Sequence, residues 1–287
     1  MAVYNGGEDN NAFFGTSDDD QAYGNGGNDT LRGAGGNDLL DGGNDDDALD
    51  DQAGNDLVSG GAGDDFLSGG DGSDTLDGGD GADHLHGDAG TDNLQGGAGR
   101  DLLDYAASLN GVTVTIGGTG SGGDAQGDSI GADIENIRGS GRNDFLTGSS
   151  GDNTLNGDEG DDFLFGFGSN DTLGGGAGND VLDGGDGSDS LYGADGDDII
   201  LGGAGGDLMV GGNGIDTLTY TASAIGVSAS LVTGVGHGGD AEGDLIQDGR
   251  GRLGRPPALH WPAPRRFDLQ QPAESTFSDK LETTALL

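Results

Sequence analysis

The chain has 287 residues, 67 of them Gly, no Cys, and a net charge of -43 at pH 7. So acidic a chain repels nucleic acid, and without thiols it has neither disulfides nor thiolate metal sites, which leaves oxygen as the donor for a bound metal. No apolar run is long enough for a transmembrane helix, or for the apolar region of a secretory signal after Met1.

From Gly6 to Asp104 a nine-residue unit occurs eleven times, and from Gly139 to Thr219 nine times. GGAGDDFLS (60–68) and GGDGSDTLD (69–77) show its form. The first position is Gly in every unit but the one led by Asp51. The sixth is Asp except at Asn11 and Asn153, and the eighth is a large apolar residue except at Ala22. A fixed short period of this kind specifies a solenoid rather than a globular core. The glycines permit tight turns at positive φ, which a Cβ resists. The last three residues of each unit read as a very short strand whose middle side chain points one way and its neighbours the other. Two units then close one coil. Stacked coils form two parallel sheets, with Leu67, Leu76, Leu85 and Leu94 alternating between them in the core of an all-β parallel roll.

One aliphatic side chain per unit buries too little surface to offset the ordering of a Gly-rich, self-repelling chain. The turns must contribute the rest. With units n and n+2 stacked, Asp65 lies one coil below Asp83 and Asp74 one coil below Asp92. The carboxylates and backbone carbonyls between such turns form flexible, all-oxygen surroundings that suit calcium better than magnesium. Eleven and nine units give nine and seven stacked pairs, a ceiling of sixteen ions. Metal binding is then part of folding itself.

These units resemble the GGxGxDxUx nonapeptide of the RTX, or haemolysin-type calcium-binding, proteins. The resemblance implies a right-handed parallel β-roll solenoid with calcium between successive turns. It also implies export through a type I secretion machine, with folding by calcium outside the cell. As metal ligands it implies the side chains of Asp29, Asp38, Asp47, Asp56, Asp65, Asp74, Asp83, Asp92 and Asp101 in the first block. In the second they are Asp162, Asp171, Asp180, Asp189, Asp198, Asp207 and Asp216. Turn carbonyls around Gly61, Gly63, Gly70, Gly72, Gly79, Gly81, Gly176, Gly178, Gly185 and Gly187 would complete the sites. Some units depart from the pattern. GGEDNNAFF and GTSDDDQAY lack the second turn glycine, Asp45 and Ser169 take position four, Asp51 leads its unit, and GSGRNDFLT and GSSGDNTLN open the second block. Poor or no calcium is expected at 6–23 and 139–156, and good sites in 54–101 and 175–216.

Residues 105–138 break the repeat. Val112, Val114 and Ile116 alternate with Thr113 and Thr115, an amphipathic strand. The segment begins again at Tyr220, where Tyr105 matches Tyr220 and GGDAQGD matches GGDAEGD. Its expected role is to cap one roll and start the next, protecting the sheet edges. After Asp248 the two copies diverge abruptly into Arg, Pro and Trp. We read this as a reading-frame slip that leaves a disordered tail without an export signal; a natural C-terminal secretion segment is the alternative. The expected organisation is a first roll block (1–104), a cap segment (105–138), a second roll block (139–219), a partial second cap (220–249) and a basic tail (250–287).

His84 and His86 flank Leu85 and project together from the outer face; with no third ligand visible near them, they read as solvated surface. His237 and His260 have no partners in the pattern. Ser129 in GDSIG (127–131) has nucleophile-elbow spacing, but no strand-turn-helix setting, and Leu245 stands in its place in the second copy. The chain therefore reads as a non-enzymatic, secreted calcium-binding module. The alternatives are a fragment of a larger secreted enzyme or toxin, and a calcium-stiffened adhesin spacer.

Overall fold

A period of nine residues with one inward side chain dictates what the strands do. In the computed structural model, residues 2–230 and 234–247 are described, and strands separated by eighteen residues pair in parallel, Leu67 beside Leu85 and Leu76 beside Leu94. Two nonapeptides therefore make one coil, and the protein is all-β, a parallel β-solenoid of the roll type. Contacts divide the chain into two units, Met1–Ser149 and Ser150–Leu287.

In the first unit one sheet runs through Val3–Asn5, Gln21–Asn25, Leu39–Asn44, Leu57–Ala62, Thr75–Gly81, Asn93–Gly99 and Ser129–Ile130. The facing sheet runs through Ala12–Phe14, Thr30–Arg32, Ala48–Asp50, Phe66–Gly72, His84–Gly90, Leu102–Asp104 and Asn136–Arg138. The second unit repeats the plan. Thr154–Glu159, Thr172–Ala177, Ser190–Asp195 and Leu208–Asn213 form one stack, and Phe163–Gly168, Val181–Asp186, Ile199–Ala204 and Thr217–Leu218 the other. The position-eight side chains fill the space between the sheets, and every one of them, from Phe13 to Leu218, is buried.

The strands are longer than the three residues expected. Phe66–Gly72 and Thr75–Gly81 each have seven, because the glycines that follow the apolar triplet stay in register with the next coil, Gly79 beside Gly97 and Gly81 beside Gly99. Gly79 has φ 109°, and a Cβ there would stand 2.1 Å from the carbonyl oxygen of Gly61. Glycine at this position is what lets the coils approach to strand-pairing distance.

Residues 105–138 continue the roll by other means. Ile130 pairs with Leu94 and Ile137 with Leu103, so the segment adds one strand to each sheet. The amphipathic strand appears at Thr113–Thr115, with Val112, Val114 and Ile116 buried and Val114 paired to Leu146. In the second copy Leu245–Gln247 pairs in parallel with Leu208–Asn213, and Val235–His237 runs antiparallel to Ser228–Ser230. Ser129 lies in the strand Ser129–Ile130, not on a strand-to-helix turn. The basic tail, and with it the frame-slip reading, lies outside the described residues.

Candidate metal centres

Position six of each unit ends the turn and begins the strand, and its carboxylate bonds the coil before it. Asp83 Oδ1 accepts the backbone N–H of Asp65 at 2.8 Å, and Asp92 Oδ1 that of Asp74 at 2.8 Å. The same bond, always across eighteen residues, aligns the aspartates in rows. Asp29, Asp47, Asp65, Asp83 and Asp101 form one row of the first unit, and Asp38, Asp56, Asp74 and Asp92 the other. In the second unit the rows are Asp162, Asp180, Asp198 and Asp216, and Asp171, Asp189 and Asp207. All sixteen side chains are buried.

The other carboxylate oxygen is the telling one. Oδ2 is buried and has no hydrogen-bond donor in Asp29, Asp38, Asp47, Asp56, Asp65, Asp74, Asp83, Asp92 and Asp101, nor in Asp171, Asp180, Asp189, Asp198 and Asp207. A single buried carboxylate oxygen without a partner is destabilising by kilocalories, and here it recurs in unit after unit. Each but Asp56, whose unit is led by Asp51, faces the leading glycine of its own unit. A Cβ on Gly60 would sit 2.4 Å from Asp65 Oδ2 and 2.6 Å from the carbonyl oxygen of Gly78, one coil on. On the other side, a Cβ on Gly90 would sit 1.6 Å from Gly72 O and 3.1 Å from Asp92 Oδ1. In these glycine-led units the space beside the carboxylate is thus lined by oxygens and kept open by the absence of a Cβ, and Oδ2 meets no donor there. All-oxygen surroundings of this kind suit a calcium ion.

Of the carbonyls singled out from sequence, those of position four, such as Gly63, Gly72, Gly81, Gly178 and Gly187, stand where a Cβ on the glycine one coil on would meet them, Gly90 against Gly72 and Gly99 against Gly81. Those of position two, Gly61, Gly70, Gly79, Gly176 and Gly185, belong to glycines at positive φ; a Cβ on Gly79 would meet Gly61 O, and one on Gly203 would meet Gly185 O. The carbonyls beside Oδ2 are those of position one, such as Gly78 and Gly96. Sequence reasoning missed them, although the near-invariant leading glycine marked the place.

With no counter-charge, burial drives these carboxyls upward, and neighbouring carboxylates add to it while the bonded N–H opposes it. Asp47, Asp56, Asp65, Asp83, Asp101 and Asp180 rise to about 6. Asp92, Asp171, Asp198 and Asp207 rise to about 7.

Where a row begins or ends, the chain supplies a donor. Thr16 donates to Asp20 Oδ2 from its backbone N–H at 2.8 Å and its hydroxyl at 2.9 Å, and Ser140 N–H donates to Asp144 Oδ2 at 2.6 Å. At the far end, Asp128 Oδ1 accepts the N–H of Asp92 at 2.9 Å and Asp244 Oδ1 that of Asp207 at 3.0 Å. These cap residues hold the next place in their rows, but the second oxygen of each takes a tyrosine hydroxyl, from Tyr105 at 2.9 Å and Tyr220 at 2.6 Å.

The departure at Asp51 adds acid to its coil. Asp51 is fully buried, both its oxygens lack donors, and carboxylate oxygens of Asp38, Asp51 and Asp56 lie within 4.8 Å of one another. Burial and the charges of Asp56 and Asp38 raise Asp51 far above the carboxylate range.

No helix among the described residues is long and apolar enough to cross a membrane. No curated protein matches the chain. The family model for the RTX calcium-binding nonapeptide repeat (4 copies) matches residues 5–40, 41–76, 68–103, 129–164, 147–182, 165–200 and 183–218. Those segments cover more than half of the sequence, so this chain belongs to the RTX family and is built from its calcium-binding repeats.

Proposed function

We propose that this chain is the calcium-binding module of a secreted protein, extended where calcium is scarce and folded once it meets the ion outside the cell. The observation that carries this reading is the row of buried Oδ2 atoms without a donor, which in units such as those of Asp29, Asp47, Asp65, Asp83, Asp171, Asp189 and Asp198 face a carbonyl oxygen across a glycine. The position-six aspartates from Asp29 to Asp101 and from Asp162 to Asp216 hold the ions, with position-one and position-four carbonyls beside them. Bound calcium supplies the positive charge that the facing carboxylates lack. The chain does the rest: Oδ1 fixes the spacing of successive coils through its N–H bond, and the leading glycine keeps the space open. Few or no ions are expected at 6–23 and 139–156, a reading supported at Asn11, Asp20 and Asp144, whose side chains are engaged by N–H groups of their own units.

Export is supported by the same coupling. Residues 1–249 carry 49 acids and 4 bases, a balance of -45 that keeps the metal-free chain expanded and passable through a narrow channel. A calcium-binding module of this kind, with no catalytic constellation among the described residues, suits a larger secreted polypeptide. The test is a calcium titration of the chelated chain followed by far-ultraviolet circular dichroism, with magnesium as the control. Cooperative gain of β structure with calcium alone is expected. A chelated chain that keeps its β signal and a cooperative thermal transition would overturn the reading.

A further inference from the structure

The outer face of the first unit carries a second kind of donor set. The strand His84–Gly90 holds His84 and His86 on one face, flanking the buried Leu85. Its parallel neighbour Leu102–Asp104 sets Leu102 beside His84 and Leu103 beside Leu85, which brings Asp104 level with His86. The sequence reading found no third ligand here, and this is corrected: His84 Nε2 lies 3.0 Å from Asp104 Oδ2, and one ligand atom from each of His84, His86 and Asp104 falls within 4.8 Å of the others.

The three side chains are held in place. The imidazole centroids are 4.6 Å apart, and the Phe66 ring packs against both, at 5.3 Å from His84 and 5.2 Å from His86. Asp104 is only 6% exposed, and its Oδ1 accepts the N–H of Ala106 at 2.8 Å, leaving Oδ2 turned toward the histidines. Arg138 Nη1 stands 3.8 Å from that oxygen, and a bound divalent ion would take its place there. Strands set this cluster more rigidly than a loop would.

We propose that His84, His86 and Asp104 bind a nitrogen-preferring first-row divalent cation of the zinc type, at a site separate from the calcium rows. Two imidazoles and a carboxylate match the borderline character of such ions, whereas calcium takes oxygen throughout. Three protein ligands on an exposed face leave a coordination position for water or an outside ligand. The site is assembled only when the coil is closed, since Asp104 belongs to the coil after His86.

Cobalt(II) is the probe, added to the full chain with calcium in excess so that the roll stays folded and its oxygen sites are filled. Imidazole-bound cobalt of low coordination number absorbs in the visible far more strongly than cobalt held octahedrally by oxygen alone. A band saturating at one cobalt per chain and displaced by zinc is expected. His86→Ala should weaken binding by more than the roughly 10–100-fold that loss of an outer-shell partner costs. Asp104→Asn retains the acceptor for Ala106 and is the variant least disturbing to the fold; it should weaken binding too, with the calcium-dependent dichroism unchanged. Absence of the band, or a band of equal strength in a His84→Ala/His86→Ala double variant that still folds with calcium, would overturn the proposal. The His84–Asp104 contact would then be a surface ion pair and nothing more.

Discussion

Tyr105 donates its hydroxyl to Asp128 Oδ2 at 2.9 Å, the oxygen whose counterpart at Asp92, one place earlier in the row, has no donor at all. A phenol therefore supplies at the end of the row the partner that Oδ2 lacks within it. The same pair recurs at Tyr220 and Asp244, so each cap ends its row with a bond that needs no metal. Tyr105→Phe removes that donor and leaves Asp128 Oδ2 buried and unpartnered. The calcium-loaded protein should lose about 1–3 kcal/mol against urea, and Tyr220→Phe should do the same for the second copy. An unchanged urea midpoint in both variants would show that the hydroxyls do not matter.

Asp74 belongs to the row of Asp38, Asp56 and Asp92, while Asp65 and Asp83 belong to the other. Asp74→Ala should empty the positions on either side of residue 74 and leave those beside Asp65 and Asp83 filled. Crystallographic occupancies decide it; equal loss in both rows would contradict the row assignment.

Asp51→Gly restores the repeat pattern and removes the third carboxylate from the Asp38–Asp56 site. Two opposite effects are expected: weaker calcium binding in that coil, and a chelated chain that folds more readily because a buried unpaired acid is gone. Calcium titrations of variant and parent, monitored by dichroism, compare the two. A gain in calcium affinity on substitution would mean that Asp51 obstructs the site.

Acid should act in opposite directions with and without the metal. Asp65 and Asp83 titrate near about 6 in the roll and Asp92 and Asp171 near about 7, all above the 3.8 of a free aspartate. The folded chain therefore binds more protons than the unfolded one. This contribution is full below the unfolded value and is lost as pH rises through the raised ones. In chelator, β structure should be greater at about pH 5 than at about pH 8. With calcium present, protons compete for the same carboxylates, and the calcium needed for folding should rise on acidification. A chelated chain with more β structure at the higher pH would rule this out.

The roll, its eighteen-residue register and its buried eighth position were legible because the period repeats with so few exceptions. Strand length was not, since Gly79 and Gly81 read as turn residues although they pair with the next coil. The Asp104 contact could have been found: it stands eighteen residues after His86, in the same outer row, and only a search near in sequence hides it. The Tyr105–Asp128 bond could not, because the intervening chain is irregular and no period brings residue 128 back to the end of the row.

The amide bonds that align the carboxylates also give each row a direction. Within a row the N–H of a position-six aspartate is taken by the aspartate of a later coil, whereas at position five the bond runs the other way, the N–H of Asp64 going to Asp46 eighteen residues before it. Trimming a row from its start strands an oxygen, which water or an ion can satisfy. Trimming it from its end takes the charged acceptor from the N–H of the last coil and leaves that group to water. The two ends of the roll are therefore not equivalent. Deletions within 6–23 should be absorbed, whereas loss of the segment that carries Asp128 should unravel the coils before it one after another, like a zip opened from its stop.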